Sequence, residues 1–352
     1  YITYVIKSSV LIGSYSLPNR IITCKKGFSK IHLGSFFKYH ISFIELKAPH
    51  GHASSDTFIQ HPTVSSFHNI IMEGHNYGEV EAIKDYLLSK TAVRPTIGIV
   101  CGSGLGGLVE NVENKEEFKY EDIPGFPRST VKGHAGKLVF GTLSGKQVVC
   151  LQGRFHFYEG HGMLKCTLPV RVMGLLGIKT MVVTNAAGGV NRDFNVGDIM
   201  VIKDHVGFPT IAGNHPLTGL NDERFGPRFP PMNQVYDSSY QKLALEIANE
   251  AGYSSFIRNG CYCMFSGPTY ETVAELRLAA ALGGDAVGMS TVPEVIVASH
   301  MGIKCLGLSL ITNKCIMEYD SSEEPNHAEV LEAGRKASKY VLDIVTKFVG
   351  KL

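Results

Sequence analysis

From residue 79 onward, apolar positions follow two periodicities that alternate along the chain. Residues 96–101, 180–184 and 304–312 are short apolar runs that end in small or polar residues, which is typical of buried strands. The segments 138–143 and 147–152 flank Ser144-Gly145-Lys146 and predict a hairpin. Strands alternating with helices predict an α/β fold, a single domain with a mixed, largely buried central sheet flanked by helices. Further strands are predicted over 199–203 and 286–289, and helices over 79–88, 168–176, 241–251, 272–282 and 328–349.

One segment, residues 207–236, follows neither periodicity and contains five prolines. A loop of that length inside a compact domain is usually functional or lies at an interface between molecules. We therefore expect this Pro-rich segment to contribute to a binding site or to a subunit contact.

The charge is distributed unevenly along the chain. The overall net charge of +2 argues against a protein that is held to nucleic acid by bulk electrostatics. Residues 1–71 contain seven Lys or Arg against two Asp or Glu, a net charge of +5, which leaves −3 for residues 72–352. Met72 is the first methionine. We therefore expect one domain over 72–352, preceded by a poorly ordered extension over 1–71. The sequence leaves open whether this extension is native, a targeting segment or upstream sequence read through in frame.

The cysteines and the apolar runs bear on the location of the protein. The eight cysteines include no C-x-x-C pair, so neither a zinc ribbon nor a thioredoxin-like site is predicted. Cys261 and Cys263 are interpreted as half-buried thiols on one face of a strand. Reduced thiols suit a cytosolic protein, so we expect a cytoplasmic location. No stretch of 18 apolar residues predicts a membrane-spanning helix.

A glycine-rich turn, Gly102-Ser103-Gly104-Leu105-Gly106-Gly107, follows the first predicted strand and is expected to open a helix. Backbone amides without neighbouring Cβ atoms form an anion site, and Ser103 adds a hydroxyl for a phosphate oxygen. The sequence also matches the G-x-G-x-x-G motif of a dinucleotide-binding turn, which requires an acidic residue at the end of a second strand about 20 residues further on. Residues 118–127 are expected to form a loop there instead. A purely structural tight turn also remains possible.

Polar residues follow several other predicted strands. Arg154, His156 and Tyr158 alternate after residue 152, so their side chains can point to one side, and a guanidinium suits phosphate. Residues 184–189 end another strand in small residues with accessible amides. Because ligands bind outside the carboxyl ends of strands in open α/β sheets, these loops are predicted to converge. Further candidates are Glu271, Met289, Ser290, Asn313 and His327, although Glu271 and His327 taken singly also fit a helix N-terminal charge and a surface imidazole.

Taken together, these motifs resemble those of purine nucleoside phosphorylases of the trimeric type. The resemblance covers residues 72–352 in the family's order and approximate spacing, and nothing in 1–71 takes part in it. It implies a single domain of the nucleoside phosphorylase fold. The matching strings are GSGLGGL from Gly102, GHAG from Gly133, GRFHFYEGH from Gly153, TNAAGGVN from Thr184, ERFGPRFP from Glu223, SGPTYETVAE from Ser266, DAVGMSTVPE from Asp285 and SLITNKC from Ser309.

The resemblance also implies roles for individual residues. Glu271 and Asn313 would bind the purine and, with His156, form the catalytic set. Tyr270 would stack on the base where the family more often has Phe, and Phe229 would reach the neighbouring subunit's site in a homotrimer. Tyr158, Met289 and His327 would line the ribose. Inorganic phosphate, a co-substrate, would be held by Ser103, His134, Arg154, His156, the amide of Ala186 and Ser290. No metal or other cofactor, nucleic acid or membrane is implied.

The implied reaction is the reversible phosphorolysis of 6-oxopurine nucleosides, such as inosine and guanosine, in purine salvage. Breaking the N-glycosidic bond builds negative charge on the leaving purine, which needs a donor at N7, a role that an Asn313 amide can fill. Three alternatives remain: a methylthioadenosine phosphorylase-like enzyme, a nicotinamide-dependent oxidoreductase built on the glycine turn, and a non-catalytic nucleoside-binding module.

Overall fold

In the computed structural model, the described residues are 2–7, 10–17, 20–22, 27–28, 42–43, 76–128, 135–322 and 327–352. The chain divides into two compact units, Tyr1–Pro62 and Thr63–Leu352. In the first unit, β1 (Ile2–Lys7), β2 (Val10–Leu17) and β3 (Arg20–Ile22) form an antiparallel sheet, and β4 (Gly27–Phe28) pairs with β5 (Ser42–Phe43). The expectation that 1–71 is an extension outside the native domain stays a prediction.

Within the described part of the second unit, nine strands form one sheet in the order β13-β12-β11-β14-β10-β6-β9-β8-β7. Parallel pairs such as β10 with β14 and β6 stand beside antiparallel pairs such as β8 with β9, so the predicted mixed sheet is confirmed. An additional pairing of β13 with β10 closes five strands into a ring. The strands are β6 (Ile97–Cys101), β7 (Glu113–Lys119), β8 (Lys137–Leu143), β9 (Lys146–Gln152), β10 (Thr180–Gly189), β11 (Ile199–Gly207), β12 (Ile257–Met264), β13 (Ala286–Gly288) and β14 (Lys304–Lys314).

Helices cover both faces of this sheet. Apolar residues of α1, α2 and α6 belong to one hydrophobic cluster, and those of α4 and α7 belong to a second cluster on the other face. This arrangement of helix, sheet and helix is the predicted α/β class. The helices are α1 (Tyr77–Leu88), α2 (Met163–Leu176), α3 (Phe208–Ile211), α4 (Ser238–Glu250), α5 (Val273–Ala281), α6 (Val292–His300) and α7 (His327–Lys351). None of the helices in the described residues is long and apolar enough to cross a membrane.

The sequence pattern predicted no range for strands β7 and β12 or for helices α3 and α6. Helix α6 and strand β7 were missed for opposite reasons. Helix α6 is buried on nearly every side, so its sequence is apolar all round and shows no amphipathic period. Strand β7 lies at the edge of the sheet with most side chains exposed, and its charged sequence lacks the alternation expected of a strand. The expectation of a loop over 118–127 was therefore wrong at its start, because Phe118 and Lys119 belong to β7.

Candidate active site

One cavity of about 510 Å³ opens at the carboxyl ends of β6, β9, β10, β13 and β14. Ligands of α/β sheets bind at this edge because the loops that follow the strands meet there. Ten of the predicted site residues line this cavity: Ser103, Arg154, His156, Tyr158, Ala186, Tyr270, Glu271, Met289, Ser290 and Asn313. His134 and the side chain of His327 lie outside the described residues. Phe229 is 86% exposed and is not among the residues that line the cavity.

The glycine turn after β6 is pressed against the end of β10. The Gly102 amide donates to Thr184 Oγ1 at 3.1 Å, and a Cβ at Gly102 would lie 2.5 Å from the Thr184 carbonyl oxygen. Gly104 has φ +75°, a conformation that glycine adopts without penalty. The turn leads into a 3₁₀ helix, Gly106–Asn111, and then into antiparallel β7, not into a βαβ unit. The predicted helix opening is therefore a short 3₁₀ turn, and a dinucleotide-binding unit is excluded.

Arg154 lies at the base of the cavity and is only 1% exposed. Its Nε and Nη2 donate to the two carboxylate oxygens of Glu294 at 3.1 and 2.9 Å. Its Nη1 donates to the Thr184 carbonyl at 2.9 Å and to Ser290 Oγ at 3.1 Å. The guanidinium fork predicted to face phosphate is thus turned to Glu294, and the Nη1 edge is directed to Ser290. A buried charge needs such a partner, because an unpaired one is costly in a low-dielectric interior.

His156 is held by a carboxylate three residues further on. Glu159 Oε1 accepts from the His156 amide at 2.7 Å and lies 3.1 Å from Nδ1. Burial lowers the pKa of His156, and the bond to Glu159 opposes that effect in part. The ring also stacks on Tyr158, with centroids 4.6 Å apart. With Nδ1 turned to Glu159, the opposite nitrogen, Nε2, is the one that can serve a ligand.

The lining of the cavity also includes a carboxylate, Glu271, and an amide, Asn313. Glu271 Oε1 is buried and has no hydrogen-bond partner among the described residues, and burial raises the pKa of this carboxyl. Asn313 Oδ1 accepts from Thr312 Oγ1 at 3.3 Å, which leaves the Nδ2 group as its donor. A buried acceptor without a partner costs about 1–3 kcal/mol, so a ligand that donates to Glu271 would be favoured.

The wall behind Ser290 contains a strained turn. Thr291 has φ +78° and ψ −53°, a conformation that costs a β-branched residue roughly 1–3 kcal/mol. Its hydroxyl accepts from Asn185 Nδ2 at 2.9 Å. Sequence reasoning missed Asn185, Thr291 and Glu294, because the hydrogen bonds Asn185–Thr291 and Arg154–Glu294 join residues that are distant in the chain. Glu159 could have been found, since it stands three residues after His156 at the start of a turn.

The comparisons with known proteins agree with this geometry. Residues 96–350 match the phosphorylase superfamily. The purine nucleoside phosphorylase of Bos taurus is 51% identical over 279 residues, which cover 79% of this chain and 96% of the bovine protein. The chain therefore belongs to the purine nucleoside phosphorylases of this superfamily.

Solved structures of the Schistosoma mansoni purine nucleoside phosphorylase share the same fold. Its complexes with inosine and with adenosine are each 43% identical to this chain with a TM-score of 0.77. Each alignment covers 79% of this chain, and 98% and 99% of the relative's chain, respectively. The predicted nucleoside phosphorylase fold is thus confirmed.

Proposed function

We propose that this protein catalyses the reversible phosphorolysis of 6-oxopurine nucleosides to the free purine and pentose 1-phosphate. The observation that carries the proposal is one cavity whose lining combines anion donors with a purine-matched pair, Glu271 and Asn313. The relatives' names and the inosine complex support the same activity. A 510 Å³ cavity is large enough for a nucleoside-sized ligand.

Inorganic phosphate is proposed to bind at the Arg154 end of the cavity. The hydroxyls of Ser103 and Ser290 and the amide of Ala186 supply neutral donors around one buried cation. His156 presents Nε2 to the same region, and because its Nδ1–H is directed to Glu159, Nε2 donates to phosphate when the ring is protonated. His134 completes the proposed set. Neutral donors aimed at a dianion in a low-dielectric cavity bind it strongly without adding charges that must themselves be neutralised.

The nucleoside is proposed to bind across the rest of the cavity. Glu271 accepts from the purine N1–H, and Asn313 faces N7 and O6. Tyr270 stacks on the base, while Tyr158, Met289 and His327 line the ribose. As the glycosidic bond lengthens, the ribose becomes cationic above the phosphate and the purine becomes anionic beside the Asn313 amide, so both charges are stabilised as they form.

Base specificity follows from this pair. Inosine and guanosine both present an N1–H donor and an O6 acceptor, whereas adenosine presents an N1 acceptor and an amino group. The adenosine complex of the Schistosoma mansoni relative indicates that an aminopurine nucleoside can enter such a site. We therefore propose that the enzyme discriminates 6-oxopurine nucleosides from adenosine by their turnover, because the mismatch with Glu271 and Asn313 acts on the leaving purine.

A homotrimer is proposed on the basis of the exposed Pro-rich segment, residues 207–236. Phe229 is exposed there with Ile211 and Leu220, and aromatic residues are enriched at subunit interfaces. Phe229 is proposed to reach the neighbouring subunit's site. Light scattering is expected to give a mass close to three protomers, and a monomeric mass would contradict the proposal.

A cytoplasmic location is also proposed. The seven cysteines in the described part of the chain are all unpaired thiols and are all buried. Thiols that remain reduced are typical of cytosolic proteins.

The function is tested by measuring purine release from inosine with and without inorganic phosphate. Strict phosphate dependence, with ribose 1-phosphate as the second product, is expected, because the proposed reaction transfers the ribose to phosphate bound at the Arg154 end of the cavity. Release of free ribose without phosphate would identify a hydrolase, and binding of inosine without release would identify a non-catalytic module. Either outcome contradicts the proposal.

A further inference from the structure

The turn that carries Ser290 is strained and closed. The Val292 amide donates to the Ser290 carbonyl at 2.9 Å, which closes a three-residue turn around Thr291. Thr291 stands at φ +78° and is 1% exposed. Left-handed φ values are unfavourable for β-branched side chains, so this conformation persists only where its surroundings fix it.

Two elements hold Thr291 in place. The Val295 amide of α6 donates to its carbonyl at 3.0 Å, and Asn185 Nδ2 of β10 donates to its hydroxyl at 2.9 Å. Asn185 is itself 1% exposed and is fixed by the pairing of β10 with β14, opposite Ser309. The side-chain bond therefore ties the turn to the rigid centre of the sheet.

The hydrogen bond between Asn185 and Thr291 also affects the orientation of the Ser290 hydroxyl. Ser290 Oγ lies 3.3 Å from Thr291 Oγ1 and accepts from Arg154 Nη1 at 3.1 Å. When Thr291 and Arg154 both donate to it, the hydrogen of Ser290 is directed into the cavity that Ser290 lines. Asn185 and Thr291 do not line that cavity, so any effect they have on a ligand passes through Ser290.

We infer that Asn185 and Thr291 are positioning residues for phosphate: the Asn185–Thr291 bond holds the strained turn and directs the Ser290 hydroxyl to the phosphate. The inference rests on the proposed function. The inference gives the strained conformation of Thr291 a role: it places the Ser290 hydroxyl as one donor at the phosphate end of the cavity.

The test is Thr291→Val, which keeps the β-branch and removes the hydroxyl. Loss of one positioning bond is expected to raise KM for phosphate about tenfold, while KM for inosine changes by less than about twofold. Thr291→Ser keeps the hydroxyl and is expected to restore the phosphate KM. Both constants are measured on the full chain, each with the other substrate at saturation.

Thr346→Val is the matched control. Thr346 lies in α7, and its hydroxyl is buried without a partner in the described part of the chain. This variant removes a similar hydroxyl far from the turn, so neither KM is expected to change. An unchanged phosphate KM in Thr291→Val would overturn the inference, and so would a parallel rise of both KM values, because a general loss of structure affects both substrates.

Asn185→Ala keeps the inference testable if Thr291→Val does not fold. It is expected to show the same selective rise of the phosphate KM and a smaller rise of the melting temperature on addition of inorganic phosphate. In a double variant, the two effects on the phosphate KM should not multiply, because they break the same bond. Multiplying effects would contradict the inference. Absence of phosphate-dependent inosine cleavage in the unmodified chain would instead refute the proposed function.

Discussion

Asn313→Ala is expected to lower kcat for inosine by about 10²–10³, the usual effect of removing a positioned donor to developing charge. In the proposed mechanism the Asn313 amide donates to the purine as its N7 becomes negative, and alanine would leave that charge without a donor. Thr312 Oγ1 lies 3.3 Å from both Asn313 Oδ1 and the Ala187 carbonyl oxygen, so these two acceptors share its single hydrogen. Because the amide acts on the leaving base, KM for phosphate should change little.

Asn111→Ala provides the control for this prediction. Asn111 is exposed at the end of the 3₁₀ helix Gly106–Asn111, so its removal should leave turnover unchanged. Circular dichroism of both variants checks that the fold is intact. Near-normal turnover in folded Asn313→Ala would contradict the catalytic role of this amide.

The second large effect is expected in base specificity. Inosine should exceed adenosine in kcat/KM by about 10³, because a site that hydrogen-bonds its substrate rejects an analogue with the wrong donors and acceptors. In the proposed binding mode, adenine would place its N1 lone pair against the Glu271 carboxylate and its amino group where Asn313 should find O6. Competing assays of the two nucleosides at equal concentrations measure the ratio directly.

The pH dependence of this ratio provides an internal check. Burial raises the pKa of Glu271, so its protonated form becomes populated at a higher pH than for an exposed glutamate. A protonated carboxyl can donate to adenine N1 but can no longer accept as well from inosine N1–H. The ratio of kcat/KM for inosine to that for adenosine should therefore decrease as pH falls and be largest above the raised pKa.

Asn313→Asp should also decrease this ratio, because an aspartate accepts from the amino group of adenine. Faster cleavage of adenosine than of inosine by the unmodified protein at neutral pH would refute the assignment.

The pattern of the chain predicted most elements, although with approximate ends. The continuous apolar runs at 180–184 and 304–312 were identified as buried strands, yet β10 extends to Gly189 and β14 to Lys314. The extensions consist of small and polar residues that are strand-forming only because neighbouring strands pair with them. Helix α6 and strand β7 were missed because their environment, not their periodicity, determines them.

The sequence by itself determined the class of fold and the family resemblance, and through that resemblance ten residues that line one cavity. These residues share a cavity because they lie near or beyond the carboxyl ends of strands, where ligands of α/β sheets bind. Only the tertiary structure decided how those residues are held. Arg154 and Glu294 are 140 residues apart, and Asn185 and Thr291 are 106 apart. Local periodicity carries no information about such pairs, since only the sheet order β13-β12-β11-β14-β10-β6-β9 brings β9, β10 and the start of α6 together.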